Sequence, residues 1–189
     1  IYTGSLNPLR TPLFFFKAVK QVIRKHRLAH RIKVIFAGER YSSLRSLLRE
    51  LGIEDNVIVM GEISHRRSIS LLFQADVLLI LSYTGPYSKE YAKLHIPGKT
   101  YEYLATGIPI LALTPEGGIL ADLIKRTGSG IIVDPEDVDA IAEAVYSLYT
   151  KWERGCLSIN PRWDLIETFD RKNLTKRLAT VMTSLIRSY

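Results

Sequence analysis

Cysteine is nearly absent: Cys156 is the only one in 189 residues. No internal disulfide can form, and the chain is expected in a reducing, cytoplasmic setting. Long apolar runs are missing too, none reaching the roughly 18 residues that a membrane-crossing helix requires. The start lacks the charged stretch and apolar core of a secretory leader. It opens as Ile-Tyr-Thr-Gly, which reads as a strand cut from a longer chain. Histidines number four, and no cysteine–histidine cluster with metal-ligand spacing occurs. No metal and no cofactor are therefore expected. Internal repeats and low-complexity tracts are lacking as well. Negative charge is the minority: 19 acidic residues stand against 26 Lys and Arg, a net charge of +7. That excess favours anionic partners, namely nucleotide phosphates, anionic lipid heads or nucleic acid.

What is present is a foldable composition, 47% hydrophobic and 24% charged, outside the range of disordered chains. Short apolar runs alternate with amphipathic stretches. Strands are expected over 1–3, 32–37, 57–60, 77–81, 110–113 and 131–133. Phe15, Val19, Val22 and Ile23 recur at helical spacing over 12–28, behind a Thr11-Pro12 start. Leu44, Leu47, Leu48 and Leu51 share one face of a helix over 42–51 that Gly52 ends. Further helices are expected over 65–74, over 98–105 up to Gly107, over 119–126, and after an Asp134-Pro135 cap. Helices over 161–189 close the chain, including an amphipathic run over 173–186. Strands that alternate with helices predict one α/β domain over 1–189, a doubly wound parallel six-stranded sheet. Ligands of such sheets bind beyond the carboxyl ends of the strands. Here those ends follow Thr3, Ala37, Met60, Leu81 and Leu113.

The run from His95 to Pro109, HIPGKTYEYLATGIP, carries Gly98-Lys99-Thr100, the closing letters of a P-loop. A P-loop needs G-x-x-x-x-G-K-[ST] between a strand and a helix. Five residues before Gly98 stands Lys93, and the preceding strand ends near Ser82. Without the first glycine the backbone cannot wrap the phosphates, which argues against a P-loop. The Rossmann G-x-G-x-x-G also fails: Gly128-Ser129-Gly130 leads to Val133 and a strand, where a third glycine and a helix are needed. What survives is a helix start at Pro97-Gly98. Its outward amides and partial positive charge attract phosphate. Lys99 adds a cation and Thr100 a hydroxyl. Glu102, one turn on, can accept hydrogen bonds from ribose hydroxyls.

The longer run, Pro97-Gly98-Lys99-Thr100-Tyr101-Glu102-Tyr103-Leu104-Ala105-Thr106-Gly107-Ile108-Pro109-Ile110, resembles a known one. It is similar to P-S-K-x-x-E-Y-x-A-x-G-x-P-V in the C-terminal, donor-binding domain of retaining GT-B glycosyltransferases. That family includes many bacterial polysaccharide and lipopolysaccharide transferases. Other landmarks resemble the family in order. Asp55-Asn56-Val57 through Met60-Gly61-Glu62 is similar to D-x-V-x-F-x-G. Ala75-Asp76-Val77 through Leu81-Ser82 is similar to A-D-V-x-x-x-P-S, and Gly128-Ser129-Gly130 through Asp134-Pro135-Glu136 to G-x-G-x-x-V-x-P. The resemblance implies the Rossmann-like half of a GT-B enzyme whose substrate is a UDP- or GDP-sugar. The partner half, which would carry the acceptor and most catalytic groups, is not in this chain, so the chain alone is expected to be inactive.

The resemblance further implies that Glu102 holds the ribose and that Gly4, Arg10, Gly98, Lys99 and Thr100 surround the diphosphate. Gly38, Arg40, Glu62 and Ile63 would line the base. Two departures stand out. Leu94 occupies the position eight before Glu102, where the family has a glutamate. Ser5 replaces the arginine after the first glycine, a loss that Lys99 is placed to offset. Three rival readings remain open at this level. One is a nucleotide-sugar epimerase of related fold. Another is a basic nucleic-acid-binding module, disfavoured because the basic residues outside Arg24–Lys33 are dispersed. The third is a regulatory α/β domain without nucleotide affinity. The Arg24–Lys33 cluster itself reads either as favourable charge at a helix C-terminus or as attraction to an anionic membrane. Tyr83, Tyr87 and Tyr91, with Lys89, Lys93 and His95, form an aromatic-basic loop beside the same helix start.

Overall fold

The computed structural model describes residues 1–38, 44–85 and 88–187. Six strands form where the apolar runs lie: β1 (Tyr2–Thr3), β2 (Val34–Ala37), β3 (Val57–Gly61), β4 (Leu78–Leu81), β5 (Ile110–Leu113) and β6 (Gly130–Val133). The helices between and after them are α1 (Leu13–His26), α2 (Leu44–Leu51), α3 (His65–Leu72), α4 (Lys89–Lys93), α5 (Lys99–Thr106) and α6 (Ile119–Thr127). They are followed by α7 (Val138–Glu153), α8 (Trp163–Ile166) and α9 (Arg171–Arg187). The short helix α4 was not expected from periodicity, because so short a run cannot display it; α8 and α9 lie within the helices expected over 161–189.

All strand pairs are parallel, as β-α-β connections require. The strands form two three-stranded ladders, β1-β2-β3 and β4-β5-β6, where one six-stranded sheet was expected. The ladders meet at β1 and β4. There Leu79 N donates to Ile1 O at 2.8 Å, and the Ile1 nitrogen donates to Val77 O at 2.7 Å. With two residues, β1 is too short to carry a full ladder on both edges. The spatial order is 3-2-1-4-5-6, the doubly wound arrangement whose switch point lies between β1 and β4.

Alternation along the strands splits the core in two. Leu79, Leu81, Leu111 and Leu113 face a layer that includes Phe15, Val19 and Val22 of α1 and Ile141 and Leu148 of α7. Leu78, Ile80, Ile110 and Ala112 face a layer that includes Tyr103 and Leu104 of α5 and Leu120 and Ile124 of α6. Tyr2, Phe36 and Phe16 anchor the first layer, with ring centroids 5.0 and 5.2 Å apart.

Two caps differ from expectation by a turn or less. Pro12 is the N-cap of α1, and the Thr11 hydroxyl accepts from Leu13 N at 3.2 Å. The cap of α7 is Asp137, whose carboxylate accepts from Ala140 N at 2.9 Å. Asp134 caps only the preceding turn, accepting from Glu136 N at 2.9 Å. Helix α9 is exposed along its length, and Leu174, Leu178, Val181, Met182 and Leu185 recur on one side at helical spacing. An apolar cavity of about 280 Å³ opens at the amino ends of the strands, between α1 and α7. It lies at the opposite end of the sheet from the loops treated next. No helix among the described residues is long and apolar enough to cross a membrane.

Candidate functional site

The loops after β1, β2, β3 and β4 converge at the carboxyl edge of the sheet. Gly4 N donates to Ala37 O at 2.7 Å, and Gly38 N donates to Gly61 O at 2.5 Å. Each strand end is thus tied to its neighbour. Gly4 and Gly38 both adopt positive φ, 109° and 82°. The dihedral is the main argument for glycine at both positions, and close neighbours add to it. A Cβ on Gly38 would stand 3.3 Å from Gly4 Cα, and one on Gly4 would stand 2.7 Å from Lys99 Nζ.

Helix α5 reaches this junction because its sequence has one buried side. Thr100, Tyr103 and Leu104 are buried against the sheet, which turns Lys99 and Glu102 toward the loops. Pro97 O accepts from Thr100 N at 2.9 Å to start the helix, and Gly107 in the left-handed region ends it. The Tyr103 hydroxyl receives a hydrogen bond from Thr3 N at 2.9 Å and pairs with the Thr3 hydroxyl at 3.1 Å. Burial pushes the Tyr103 phenol up to about 12, against the lowering effect of those bonds. Tyr103 thereby stitches α5 to the end of β1. Tyr103→Phe leaves a buried amide without its acceptor, and a loss of about 1–3 kcal/mol in chemical denaturation is expected. An unchanged midpoint would show that the amide finds another acceptor.

Lys99 makes the second stitch. Its ammonium donates to Thr3 O and lies 3.7 Å from the centre of the Tyr2 ring. Burial, followed by the neighbouring Arg10 charge, brings this amine down to about 7, although Glu102 acts in the opposite direction. Glu102 Oε1 stands 3.9 Å from His65 Nε2, at the start of α3. This contact places the carboxylate beside the loop after β3, which carries Glu62 and Ile63.

The first loop curls back on itself through Arg10 N to Asn7 O at 2.9 Å. Leu9 O accepts from Thr84 N at 2.7 Å, which fastens this loop to the one after β4. The Arg10 guanidinium lies 4.5 Å over the Tyr83 ring. Tyr83 meets Tyr91 at 5.0 Å and His95 at 5.3 Å, and Tyr91 stacks on His95 at 5.6 Å. Burial and Arg10 both lower the proton affinity of His95. Arg10 Nε and His95 Nδ1 are buried without a hydrogen-bond partner among the described residues. Gly85 N donates to Glu136 Oε1 at 2.6 Å, which pins the far side of the same loop.

Of the residues expected at a ligand site, Gly4, Gly38 and Lys99 come together directly, and Arg10 lies near enough for its charge to act on the Lys99 amine. Gly98 sits exposed at the start of α5, and Glu102 stands by His65, at the start of the helix that follows the loop carrying Glu62 and Ile63. Thr100 does not face the cleft: its side chain is fully buried on the sheet side of α5. The i, i+3, i+4 spacing to Tyr103 and Leu104 explains this. Arg40 and Tyr87 lie outside the described residues. Leu94 is 75% exposed. The contributions of Thr3 and His65 were not anticipated, since strand register and helix approach carry no local signal. Among the described residues, no group of three His, Cys, Asp or Glu is placed to hold a metal ion. The arrangement is a concentration of positive charge, from Arg10, Lys99 and the N-terminus of α5, beside one carboxylate. That combination suits an anion joined to a polyol.

The sequence pattern of the family described as glycosyl transferases group 1 matches residues 1–155. A putative colanic acid biosynthesis glycosyltransferase, WcaL of Escherichia coli, is 25% identical over 165 residues, 86% of this chain and 39% of that protein. The structure of Anabaena Alr3699/HepE in complex with UDP superposes with a TM-score of 0.73 at 16% identity, covering 97% of this chain and 48% of that one. The C-terminal domain of the glycosyl transferase group 1 family protein LpcC of Francisella tularensis superposes with a TM-score of 0.64 at 17% identity. It covers 89% of this chain and 84% of that domain. The chain spans about two fifths of the length of WcaL and of a Methanocaldococcus jannaschii glycosyltransferase that it also matches.

Proposed function

As the chain belongs to the glycosyl transferases group 1 family, we propose that it is the donor-binding half of an enzyme that transfers a sugar from a UDP- or GDP-sugar. The acceptor is a polysaccharide, a lipid-linked glycan or a similar molecule, and the reaction retains anomeric configuration with a hexosyl donor. The observation that carries this reading is the meeting of Lys99, Gly4 and Arg10 under the first loop, with Glu102 one turn along α5.

In this arrangement the α5 N-terminus, Gly4, Arg10, Gly98 and Lys99 hold the diphosphate. Glu102 accepts from the ribose hydroxyls, and Gly38, Glu62 and Ile63 border the base. Thr100 contributes its helix position but not its hydroxyl. Lys99 stands under the loop where Ser5 replaces the family arginine, and supplies that charge from a different element. Fixed positive groups and helix amides then stabilise the charge that develops on the departing nucleoside diphosphate. No step in this scheme calls on a metal.

A second half of the protein completes the cleft and carries the acceptor. The bare apolar stripe of α9 and the relatives' length, more than twice that of this chain, support that partner. Arg24, Lys25, Arg27 and His30 stay exposed at the end of α1. They supply a contact with an anionic membrane surface, in keeping with a cytoplasmic, peripheral enzyme. Isothermal titration of the chain with UDP, GDP and inorganic pyrophosphate tests the donor site. One nucleoside diphosphate is expected to bind more tightly than pyrophosphate. No binding of any of the three at millimolar concentration would refute the proposal.

A further inference from the structure

We propose that binding of a nucleoside diphosphate draws a proton onto Lys99, so that the affinity of the site falls as pH rises through the neutral range. This inference rests on the donor-site reading above. Lys99 is set in an unusual place for a phosphate ligand. Its amine is enclosed by β1 and the first loop, bonded to Thr3 O, laid against the Tyr2 ring and pressed beneath Gly4. No carboxylate forms an ion pair with it among the described residues.

The groups that face Lys99 divide by element. From β1 come the Thr3 carbonyl and the Tyr2 ring. The first loop supplies the Arg10 cation, which repels a second charge. Its own helix supplies Glu102, which attracts one but also stands by His65 of α3. Tyr103, on the same helix, stays a neutral phenol. His95, on the loop before α5, feels the same Arg10 charge. A neutral amine can still donate to Thr3 O, so the stitch to β1 survives deprotonation while the charge does not.

With the amine near 7, Lys99 is charged below about pH 6 and largely neutral by pH 8 in the free chain. An arriving diphosphate reverses the balance, because a nearby anion favours the charged amine. The terminal phosphate loses its last proton near pH 6. Between about pH 7.5 and 8.5, above the phosphate and below the ionisation of the uracil ring, the ligand therefore does not titrate, and uptake reports on the protein. Affinity should fall by up to about tenfold per pH unit over that window, the limit for one linked proton.

The test titrates the chain with UDP at pH 8.0 in two buffers of different ionisation enthalpy, such as Tris and HEPES, and repeats the titration from about pH 7 to 8.5. Uptake approaching one proton per UDP at pH 8 is expected, with affinity declining across the range. Lys99→Arg and Lys99→Gln, each checked by thermal melting, should bind with no uptake and a flat pH profile. UDP binding by the parent chain without uptake, or uptake that persists in both variants, overturns the inference. Absence of UDP binding at every pH instead overturns the donor-site reading.

Discussion

Gly130→Ala is expected to lower the melting temperature by roughly 6–20 °C, or to prevent folding outright. Gly130 opens β6 and lies in register with Ile110 of β5. A Cβ there would sit 1.9 Å from Ile110 O, 2.7 Å from its carbonyl carbon and 2.9 Å from its Cα. These are backbone atoms within a ladder, so no side chain can yield. β6 must separate from β5, and the bonds from Ile110 N to Ser129 O and from Thr114 N to Val133 O, both 2.9 Å, are strained or lost. A cost on the order of 3–5 kcal/mol follows, a large share of the roughly 5–15 kcal/mol that holds a domain folded. Gly155, whose Cβ would meet nothing within 4 Å, is the control. Alanine there costs only the strain of its positive φ, on the order of 1 kcal/mol. Thermal unfolding followed by circular dichroism separates the two. A Gly130→Ala melt within two degrees of the parent would show that the β5–β6 spacing is wrong.

Glu102→Ala should weaken nucleoside diphosphate binding by about 10- to 100-fold and leave pyrophosphate binding nearly unchanged. Hydrogen bonds from ribose hydroxyls to a carboxylate are charge-assisted, worth about 1.5–3 kcal/mol, and 1.4 kcal/mol is about a factor of ten. The Glu102 side chain is 38% exposed, and its contact with the 75% exposed His65 side chain is an outer one. Losing such a contact costs little, so the fold should be unaffected. Calorimetric titration of the variant with both ligands decides the matter. Equal losses for UDP and pyrophosphate would mean that Glu102 acts on the diphosphate or on the fold. No loss for either would move the ribose elsewhere.

How far these features can be read without coordinates differs by feature. The strands over 77–81 and 110–113 were legible because buried parallel strands are uniformly apolar, and both stand within a residue of expectation. Helices that end on Gly52 and Gly107 were legible because a left-handed C-terminus leaves a glycine behind. Thr100 was misleading. Beside Gly98 and Lys99 it looked like a phosphate ligand, yet the spacing to Tyr103 and Leu104 carries it to the core. Lys99 was read as a cation but not as a buried one, since its enclosure depends on β1 lying directly across from α5. The Thr3–Tyr103 pair spans 100 residues of chain, and no local pattern announces it. The short β1 concealed the break between the ladders, because strand count says nothing about how many bonds join neighbours.

That break has a mechanical meaning. Beyond the backbone bonds to Ile1, the β1–β4 junction is crossed on the ligand side by two side chains of α5, Lys99 and Tyr103, both reaching Thr3, and by the loop contacts of Leu9 with Thr84 and of Arg10 with Tyr83. The donor site of the proposal lies over the same line, with Gly4, Gly38 and Glu62 on one ladder's side and Gly98, Lys99 and Glu102 on the other's. A bound nucleotide therefore acts as a splint. It adds its own cross-links where the native sheet has fewest, and the binding energy resists the two ladders breathing apart.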